Sequence, residues 1–285
     1  MIFVEKKVQK LKNIIITDLD GSLLNHSNFS FSEIRSELLF LLDSQTQIIP
    51  ASSKTKAEME MFCAELGRDL PFIYENGAGF QNINQITLEK SSKPFTLSPA
   101  AINTEKIWEI WCENVSDELK NQCLFSHDMN FKQQIDAFGL TGQNLENALA
   151  REFSFNFKFF GNQIQLHHLK KILNSKNLNA QHGGRLMTLS GKHDKADYCN
   201  FIRTRQKIHG FEPFLVGVGD SENDAEMLEN CDLACIIPRP HKPLLSISLP
   251  PERTIVAGSV APLGWLEAIK KALNSSQIGE TLRYG

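Results

Sequence analysis

Short runs of consecutive apolar residues alternate along this chain with longer segments of helical periodicity. Strands are predicted at residues 14–16, 47–51 and 214–219, because these runs are too short for helices and are apolar at nearly every position. Such uninterrupted runs are typical of parallel strands that are covered on both faces. The pattern therefore predicts an α/β fold, with a doubly wound, mostly parallel, Rossmann-like core sheet between two layers of helices.

The alternation of strand and helix breaks near residue 85 and resumes after residue 187. Between these points the sequence predicts a helix that begins at Ser98 and Pro99, helices at 145–150 and 163–174, and strands at 153–159 and 182–189. A chain of 285 residues is also long for a single core. We therefore predict a core formed by residues 1–84 and 188–285, with a smaller α/β domain inserted at residues 85–187.

Four phenylalanines occupy alternate positions of the predicted strand at 153–159, with Ser154, Asn156 and Lys158 between them. Alternation of apolar and polar residues predicts a strand with one buried face. The aromatic side could stack on a sugar. A hydrophobic core beneath a small sheet is the interpretation that we favour.

The first predicted strand runs directly into Thr17-Asp18-Leu19-Asp20-Gly21. Ligands of open parallel sheets bind at the carboxyl ends of the strands, which places Asp18 at the expected binding edge. A carboxylate there can attack phosphorus and form an aspartyl-phosphate, and Asp20 can exchange protons with the leaving and entering oxygens. Asp and Gly are also common in ordinary turns, so this segment alone leaves both interpretations open.

Two further loops follow predicted strands. Ser52 and Lys54 come after the second strand, where a hydroxyl group and an ammonium group suit a phosphate, although a helix N-cap also explains a serine there. Asn76 and Gly77 follow a further strand, predicted at residues 71–74. They indicate either a tight turn or a close approach of the backbone to a ligand.

Two cations are candidates for binding an anion. Lys195 is predicted in the first turn of a helix, where a positive charge opposes the helix dipole, so we expect its ammonium group to point with the dipole at an anion. Arg185 has a guanidinium group, which can form paired hydrogen bonds with a carboxylate or a phosphate. A surface salt bridge is the alternative for Arg185.

Three acidic residues and an asparagine lie within residues 220–224, directly after the strand at 214–219. Their mutual repulsion is relieved if a cation binds. Mg2+ is the expected ion, because it binds a few carboxylate oxygens together with water and a substrate phosphate. A solvated, acidic helix N-terminus is the alternative.

Composition narrows the classes of partner. The net charge is −3 and the basic residues are spread, which gives no indication of a nucleic-acid partner. The six cysteines show neither CxxC spacing nor a dense framework, so we expect thiols rather than zinc ligands or disulfides. The sequence shows no apolar segment of transmembrane length and no signal peptide, and we expect a cytoplasmic protein without a membrane partner.

The four motifs that carry these residues resemble, in their order, those of the haloacid dehalogenase superfamily, and the match covers the whole chain. In phosphatases of that superfamily the first Asp is the nucleophile and the second is the acid/base. The hydroxyl group and the lysine hold the phosphate, and the last acids hold Mg2+. The resemblance implies catalytic roles for Asp18, Asp20, Ser52 and Lys195, and metal ligation by Asp18, Asp20, Asp220 and Asp224.

The inserted domain resembles the α/β cap of the superfamily's second type, which supplies contacts to the organic part of the substrate. Within that group, residues 52–55, 75–77, 151–154 and 183–185 resemble mannosyl-3-phosphoglycerate phosphatases. The chain departs from that family where Phe155-Asn156 replaces Glu-Pro and where Ala196 replaces Gly. The resemblance implies that the substrate is bound by Lys54, Asn76, Gly77, Arg151, Gly184, Arg185 and Asn223.

The function implied is that of an Mg2+-dependent phosphatase, which hydrolyses a sugar-linked phosphate monoester through an aspartyl-phosphate. The expected substrate is mannosyl- or glucosyl-3-phosphoglycerate, and a monomer or homodimer is expected. Lys54 and Arg185 are cations beyond those that the phosphoryl group needs, which fits a substrate with a carboxylate. The alternatives are another sugar-phosphate phosphatase, a phosphomutase that passes the phosphoryl group to a second sugar hydroxyl, and a non-catalytic sugar-phosphate sensor.

Overall fold

The computed structural model describes residues 10–44, 46–87, 94–183 and 185–284. The strands in these ranges are β1 (Lys10–Thr17), β2 (Gln47–Pro50), β3 (Phe72–Tyr74), β4 (Gly79–Gln81), β5 (Phe95–Leu97), β6 (Cys123–Phe125), β7 (Ser154–Phe159), β8 (Leu178–His182), β9 (Met187–Gly191), β10 (Phe211–Gly219), β11 (Leu233–Ile236) and β12 (Thr254–Val256). The helices are α1 (Arg35–Leu42), α2 (Lys56–Leu66), α3 (Asn84–Thr87), α4 (Thr104–Asn114), α5 (Asp117–Lys120), α6 (Phe131–Phe138), α7 (Gly142–Leu149), α8 (Gln163–Ser175), α9 (Asp197–Ile208), α10 (Ala225–Glu229) and α11 (Leu263–Tyr284). None of these helices combines the length and the apolar composition that crossing a membrane requires.

Five parallel strands form the central sheet, in the order β12-β11-β10-β1-β2. Ile14, Ile15 and Ile16 of β1 are fully buried, because successive side chains point into opposite helical layers. Ile15 belongs to a hydrophobic cluster with residues of α1, α2 and α11, whereas Ile14 and Ile16 cluster with residues of α9 and α10. The predicted doubly wound, mostly parallel core is therefore confirmed.

A second sheet is antiparallel and contains β3, β4 and β5. Ala51, directly after β2, forms a parallel bridge with Ile73 of β3, so the turn after β3 lies beside the loop after β2. This contact brings two of the predicted site segments together.

A third sheet has the order β6-β7-β9-β8 and is antiparallel throughout. Its buried side packs against α4 and α8 through a cluster of aromatic and aliphatic residues that includes Trp111, Phe125 and Phe157. Phe155 and Phe159 pack against the same cluster. This packing agrees with the core interpretation for three of the four phenylalanines, whereas Phe153 precedes β7 and belongs to the cluster that contains Ile15.

Two elements differ from the sequence prediction. The helix expected from Ser98 begins at Thr104, because the side chain of Asn103 accepts a hydrogen bond from the Lys106 N–H at 3.0 Å and so caps the helix there. The single strand expected at 182–189 is a hairpin, because β8 ends at His182 and β9 begins only at Met187. Gly183 lies between the two strands, and its N–H donates to the carbonyl oxygen of Leu186 at 2.8 Å.

The predicted domain division at residues 85 and 187 stays a prediction. β5 lies beyond residue 85 and pairs with β4, which lies before it. β9 belongs to the third sheet and extends to Gly191. The chain therefore crosses between the sheets near residues 98–104 and 191–197.

Ile15→Ala is expected to lower the free energy of unfolding by about 2–5 kcal/mol, because it leaves a cavity in a layer that is covered on both sides. Ile164→Ala removes the same atoms where the side chain is 80% exposed and is expected to change stability by less than about 0.5 kcal/mol. Denaturant titrations measure both values. Equal losses would contradict the central position of β1.

Candidate active site

Asp18 follows β1 directly and is buried at the carboxyl edge of the central sheet. Its backbone N–H donates to the carbonyl oxygen of Val218 in β10 at 2.9 Å. The Thr17 hydroxyl donates to the Asp18 carbonyl oxygen at 2.8 Å, and the Trp265 indole N–H donates to that hydroxyl at 2.9 Å. The backbone that presents the Asp18 carboxylate is therefore fixed by hydrogen bonds from two directions.

Lys195 is fully buried and holds two carboxylates. Its Nζ donates to Asp18 Oδ1 and to Asp224 Oδ1, each at 2.7 Å. Burial opposes the charged form of Lys195, but the two carboxylates outweigh burial and raise the pKa of the ammonium group. The helix α9 begins only at Asp197, so the prediction that Lys195 lies in its first turn is wrong, and neighbouring carboxylates rather than a helix dipole determine the charge of this lysine.

Three acidic side chains meet at this ammonium group. Asp18, Asp220 and Asp224 each offer one carboxylate oxygen, and these oxygens lie within 4.8 Å of one another. Asp224 is held in place because its Oδ2 accepts hydrogen bonds from the backbone N–H groups of Asp220, at 3.1 Å, and of Ser221, at 3.2 Å. The structure thus brings together three of the four predicted metal ligands.

The charges of this cluster do not balance. Three buried carboxylates lie around one ammonium group, and Arg239, which also pairs with Glu222, attracts Asp220 from farther away, so acidic groups outnumber basic groups in the cluster. Burial raises the pKa of Asp18 well above its ordinary value against the attraction of Lys195, and the neighbouring Asp224 and Asp220 raise it further. Burial and the charge of Asp224 raise the pKa of Asp220 to about 7.

The donor set fits Mg2+. The ion prefers oxygen ligands, and its divalent charge would offset the mutual repulsion of the three carboxylates. Asp220 Oδ1 is buried and has no hydrogen-bond partner among the described atoms, as expected for an oxygen that is a metal ligand. Gly21 permits this arrangement, because it has φ of +87° and a Cβ atom there would lie 2.7 Å from Asp220 Oδ2.

The fourth predicted ligand, Asp20, lies in an ion pair instead. Its Oδ2 is 2.9 Å from Lys54 Nζ, and its Oδ1 is buried without a hydrogen-bond partner among the described atoms. Lys54 also lies 3.8 Å from Glu58 Oε1 and stacks on the Phe29 ring, at 5.0 Å from the centroid. Burial disfavours the charge of Lys54, but the two carboxylates outweigh burial and raise its pKa. The contacts of Lys54 therefore hold Asp20 in position.

The loop after β2 contains the buried Ser52. Ser52 N–H donates to the carbonyl oxygen of Ile73 at 3.0 Å, and Ser52 O accepts from the Asn76 N–H at 2.9 Å. Helix α2 is capped by Thr55, which forms a capping box with Glu58. The N-cap alternative thus applies to Thr55, and the hydroxyl group of Ser52 remains a candidate for binding a phosphate.

The turn after β3 packs against the segment that carries Lys195. Gly77 has φ of +102°, and a Cβ atom there would lie 2.1 Å from the carbonyl oxygen of Asp194. Asn76 adopts φ of +56°, and its Oδ1 accepts a hydrogen bond from Asn223 Nδ2 at 3.4 Å. Asn76, Gly77 and Asn223 therefore lie together, between the Ser52 loop and the acidic cluster.

The two predicted arginines differ in their placement. Arg151 is half-buried, and its Nη1 donates to the carbonyl oxygen of Ser53 at 3.2 Å and to Ser154 Oγ at 3.0 Å. Arg185 is exposed, with its guanidinium group against Gly139 at the end of α6. Hydrogen bonds of the described residues thus join Arg151, but not Arg185, to the catalytic loops. Gly184 lies outside the described residues.

Sequence reasoning did not identify two parts of this site. Trp265 binds the hydroxyl group of Thr17, 248 positions away in the chain, and no local signal indicates that contact. Glu75 directly precedes the asparagine and the glycine of the turn after β3. Its side chain is buried and binds the segment after Arg151. A carboxylate directly before two turn residues was the only available signal.

The chain is similar in sequence to two phosphatases and in fold to a solved structure. A glucosyl-3-phosphoglycerate/mannosyl-3-phosphoglycerate phosphatase from Persephonella marina is 30% identical over 93% of this chain and 99% of its own. A protein of the same name from Methanococcoides burtonii is 27% identical over 91% of this chain and 96% of its own. A solved structure from Bacteroides thetaiotaomicron, a phosphatase of the haloalkanoate (HAD) enzyme superfamily, has a TM-score of 0.61 at 14% identity and covers 95% of this chain and 97% of its own.

The family model of the haloacid dehalogenase-like hydrolases matches residues 15–248, which include every described residue of the acidic cluster and of the loops around it. Together with the phosphatase names of the two relatives, this match confirms the prediction of a phosphoric monoester hydrolase. The chain belongs to the haloacid dehalogenase-like hydrolase family.

Proposed function

We propose that this protein is an Mg2+-dependent phosphatase that hydrolyses glucosyl- or mannosyl-3-phosphoglycerate to the glycosylglycerate and phosphate. The observation that carries the proposal is the buried Asp18–Lys195–Asp224 arrangement at the carboxyl edge of the sheet. The names of the two relatives support this choice of substrate.

Asp18 is the proposed nucleophile. Because Lys195 binds Oδ1, we assign the attack on phosphorus to Oδ2. The new Oδ2–P bond forms as the bond from phosphorus to the substrate oxygen breaks, and protonated Asp20 donates its proton to that leaving oxygen. A water molecule then attacks phosphorus, Asp20 accepts its proton, and the Asp18 carboxylate leaves. Atoms and charge are conserved over both steps.

The remaining core residues bind the phosphoryl group and orient the acid/base. The Ser52 hydroxyl and the Lys195 ammonium group are the proposed donors to its oxygens. Asp18, Asp220 and Asp224 would hold Mg2+, whose charge would offset that of the phosphoryl group. Lys54 orients Asp20 through its 2.9 Å contact with Oδ2, and we assign the transferred proton to Oδ1, which has no hydrogen-bond partner among the described atoms.

Arg151 is the proposed ligand of the substrate carboxylate. Lys54, which the sequence suggested for this role, already contacts two carboxylates. Arg151 lies against the Ser52 loop, and its Nε is buried without a hydrogen-bond partner among the described atoms. A carboxylate would satisfy that N–H group, and a guanidinium–carboxylate contact favours a charged group over a hydroxyl. We also propose that residues 85–187, which contain Arg151, form the cap over the site.

Asp18→Asn is expected to abolish phosphate release, because an amide is a poor nucleophile and a weaker metal ligand. Asp43→Asn changes an exposed acid that pairs with Arg68 and is expected to retain wild-type activity. Release of inorganic phosphate from glucosyl-3-phosphoglycerate measures both. If Asp18→Asn retains a substantial fraction of the wild-type rate, Asp18 is not the nucleophile. If the substrate is consumed without release of phosphate, the protein transfers the phosphoryl group to another hydroxyl group and does not hydrolyse the substrate.

Mg2+ is expected to raise the thermal midpoint of the wild-type protein, because an ion that binds only the folded state stabilises it by about 2.7 kcal/mol at a hundred times its dissociation constant. In Asp220→Asn the same stabilisation is expected to need roughly tenfold more Mg2+ or to disappear. Glu222→Gln is the matched control, because Glu222 lies in the same segment and pairs with Arg239 instead. Equal responses of the three proteins would contradict the proposed metal site.

The wild-type protein is expected to prefer glucosyl-3-phosphoglycerate over mannose 6-phosphate by roughly thirtyfold in kcat/KM, and Arg151→Ala is expected to remove most of that preference. Arg185→Ala is the comparison, since its guanidinium group is exposed beside Gly139. Kinetics of the three proteins on both substrates provide the measurement. If the preference is lost in Arg185→Ala and kept in Arg151→Ala, Arg185 and not Arg151 binds the substrate carboxylate.

A further inference from the structure

Glu75 has a buried carboxylate that the proposed chemistry does not use. It lies in the turn between β3 and β4 and is 1% exposed. Its Oε1 accepts a hydrogen bond from the Glu152 N–H at 2.9 Å, and its Oε2 accepts from the Phe153 N–H at 3.1 Å and from Ser154 Oγ at 2.5 Å. One core side chain thus binds three consecutive residues that follow Arg151.

The backbone of Glu75 is tied to two catalytic loops. Its N–H donates to the carbonyl oxygen of Lys54 at 2.8 Å, and its carbonyl oxygen lies 2.9 Å from His193 Nε2, two residues before Lys195. Glu75 also adopts φ of +44°, in the left-handed region that non-glycine residues rarely occupy. Such backbone strain persists only where the surrounding contacts hold it. The position of the carboxylate is therefore fixed relative to both loops.

A hydrogen-bond chain connects this carboxylate to Arg151. Arg151 Nη1 donates to Ser154 Oγ at 3.0 Å, and the same hydroxyl donates to Glu75 Oε2. Among the described ion pairs none contains Glu75, so its charge is compensated through Ser154 and the two backbone N–H groups. A carboxylate that is buried without a direct counter-ion is costly, and an uncharged group of similar shape would avoid that cost. The cost of burying this carboxylate therefore indicates that Glu75 has a role beyond packing.

We propose that Glu75 is a positioning residue that sets residues 151–154 against the Ser52 loop and thereby aims the Arg151 guanidinium group at the substrate carboxylate. The inference rests on the proposed function, in which Arg151 binds that carboxylate. It deepens that function by making selectivity for a carboxylate-bearing substrate depend on a core residue that touches neither substrate nor metal.

The first experiment is hydrogen–deuterium exchange, which needs no substrate. In Glu75→Gln one of the two acceptor oxygens becomes a donor, so at least one of the amides of Glu152 and Phe153 loses its acceptor and is expected to exchange at least about tenfold faster. Asp232→Asn is the matched control, because the Asp232 carboxylate also accepts from a backbone N–H, that of Leu215, and from a guanidinium group, that of Arg203. It is expected to leave exchange at residues 152–153 unchanged.

The second experiment measures selectivity, as kcat/KM for glucosyl-3-phosphoglycerate relative to p-nitrophenyl phosphate, which has no carboxylate. Glu75→Gln is expected to lower this ratio by roughly tenfold, mainly through KM, with little change on p-nitrophenyl phosphate. Ser154→Ala breaks the same hydrogen-bond chain and is expected to act in the same direction. In double variants that combine Arg151→Ala with Glu75→Gln or with Ser154→Ala, we expect little further loss of selectivity. The reason is that the three residues act as one unit.

Two kinetic outcomes overturn the proposal. Equal losses on both substrates would give Glu75 a structural role only, and unchanged selectivity in both Glu75→Gln and Ser154→Ala would remove the link to Arg151. Ser154→Ala keeps the test decisive if Glu75→Gln does not fold. If the wild-type protein itself shows no preference for glucosyl-3-phosphoglycerate, the proposed function fails. The exchange rates at residues 152–153 then decide the positioning role alone, and unchanged rates overturn it.

Discussion

One buried ammonium group holds the carboxyl edge of the central sheet together. Lys195 lies 2.7 Å from a carboxylate oxygen of Asp18 and 2.7 Å from one of Asp224, and it is fully buried. Removing one partner of a buried ion pair costs about 3–5 kcal/mol, because a charge is then left without compensation. Asp18, Lys195 and Asp224 can meet because β10 lies beside β1 in a parallel register. Residue 18 and residues 220–224 therefore follow strands that end at the same edge of the sheet. The order of the strands is therefore a requirement of the site.

The same interaction explains why this site is suited to a divalent cation. The ammonium group lies among three carboxylates, and burial together with the neighbouring carboxylates raises the pKa of both Asp18 and Asp220. A divalent cation at these oxygens would favour the charged forms of the carboxylates. Folding thus concentrates acidic groups at the carboxyl edge of the sheet, where a bound cation would reduce their mutual repulsion.

Local signals predicted the parts of the fold that local sequence determines. The apolar runs located the parallel strands, and the polar residues directly after them located Asp18, Ser52 and the 220–224 segment, because strand ends meet at one edge. Contacts between distant segments could not be predicted in this way. The start of α4 depends on which of several cap residues the chain uses, and the pairing of Lys54 with Asp20 depends on two loops that only the folded sheet brings together. The role of Glu75 depends on residues 77 to 79 positions away.

The departures from the family pattern lie in packed positions rather than among the reacting groups. Phe155, in β7 of the third sheet, packs against Trp108 of α4, with 5.6 Å between the ring centroids. Asn156 is buried in the same strand, where its Oδ1 accepts a hydrogen bond from Thr188 Oγ1 at 3.3 Å. Ala196 packs against the core cluster beneath β1, and its N–H donates to Asp194 Oδ1 at 2.8 Å. Each replacement is thus accommodated by packing or by a hydrogen bond to a nearby residue. The carboxylates around Lys195 and the contacts of Glu75 use other atoms, so these replacements leave both sets of contacts intact.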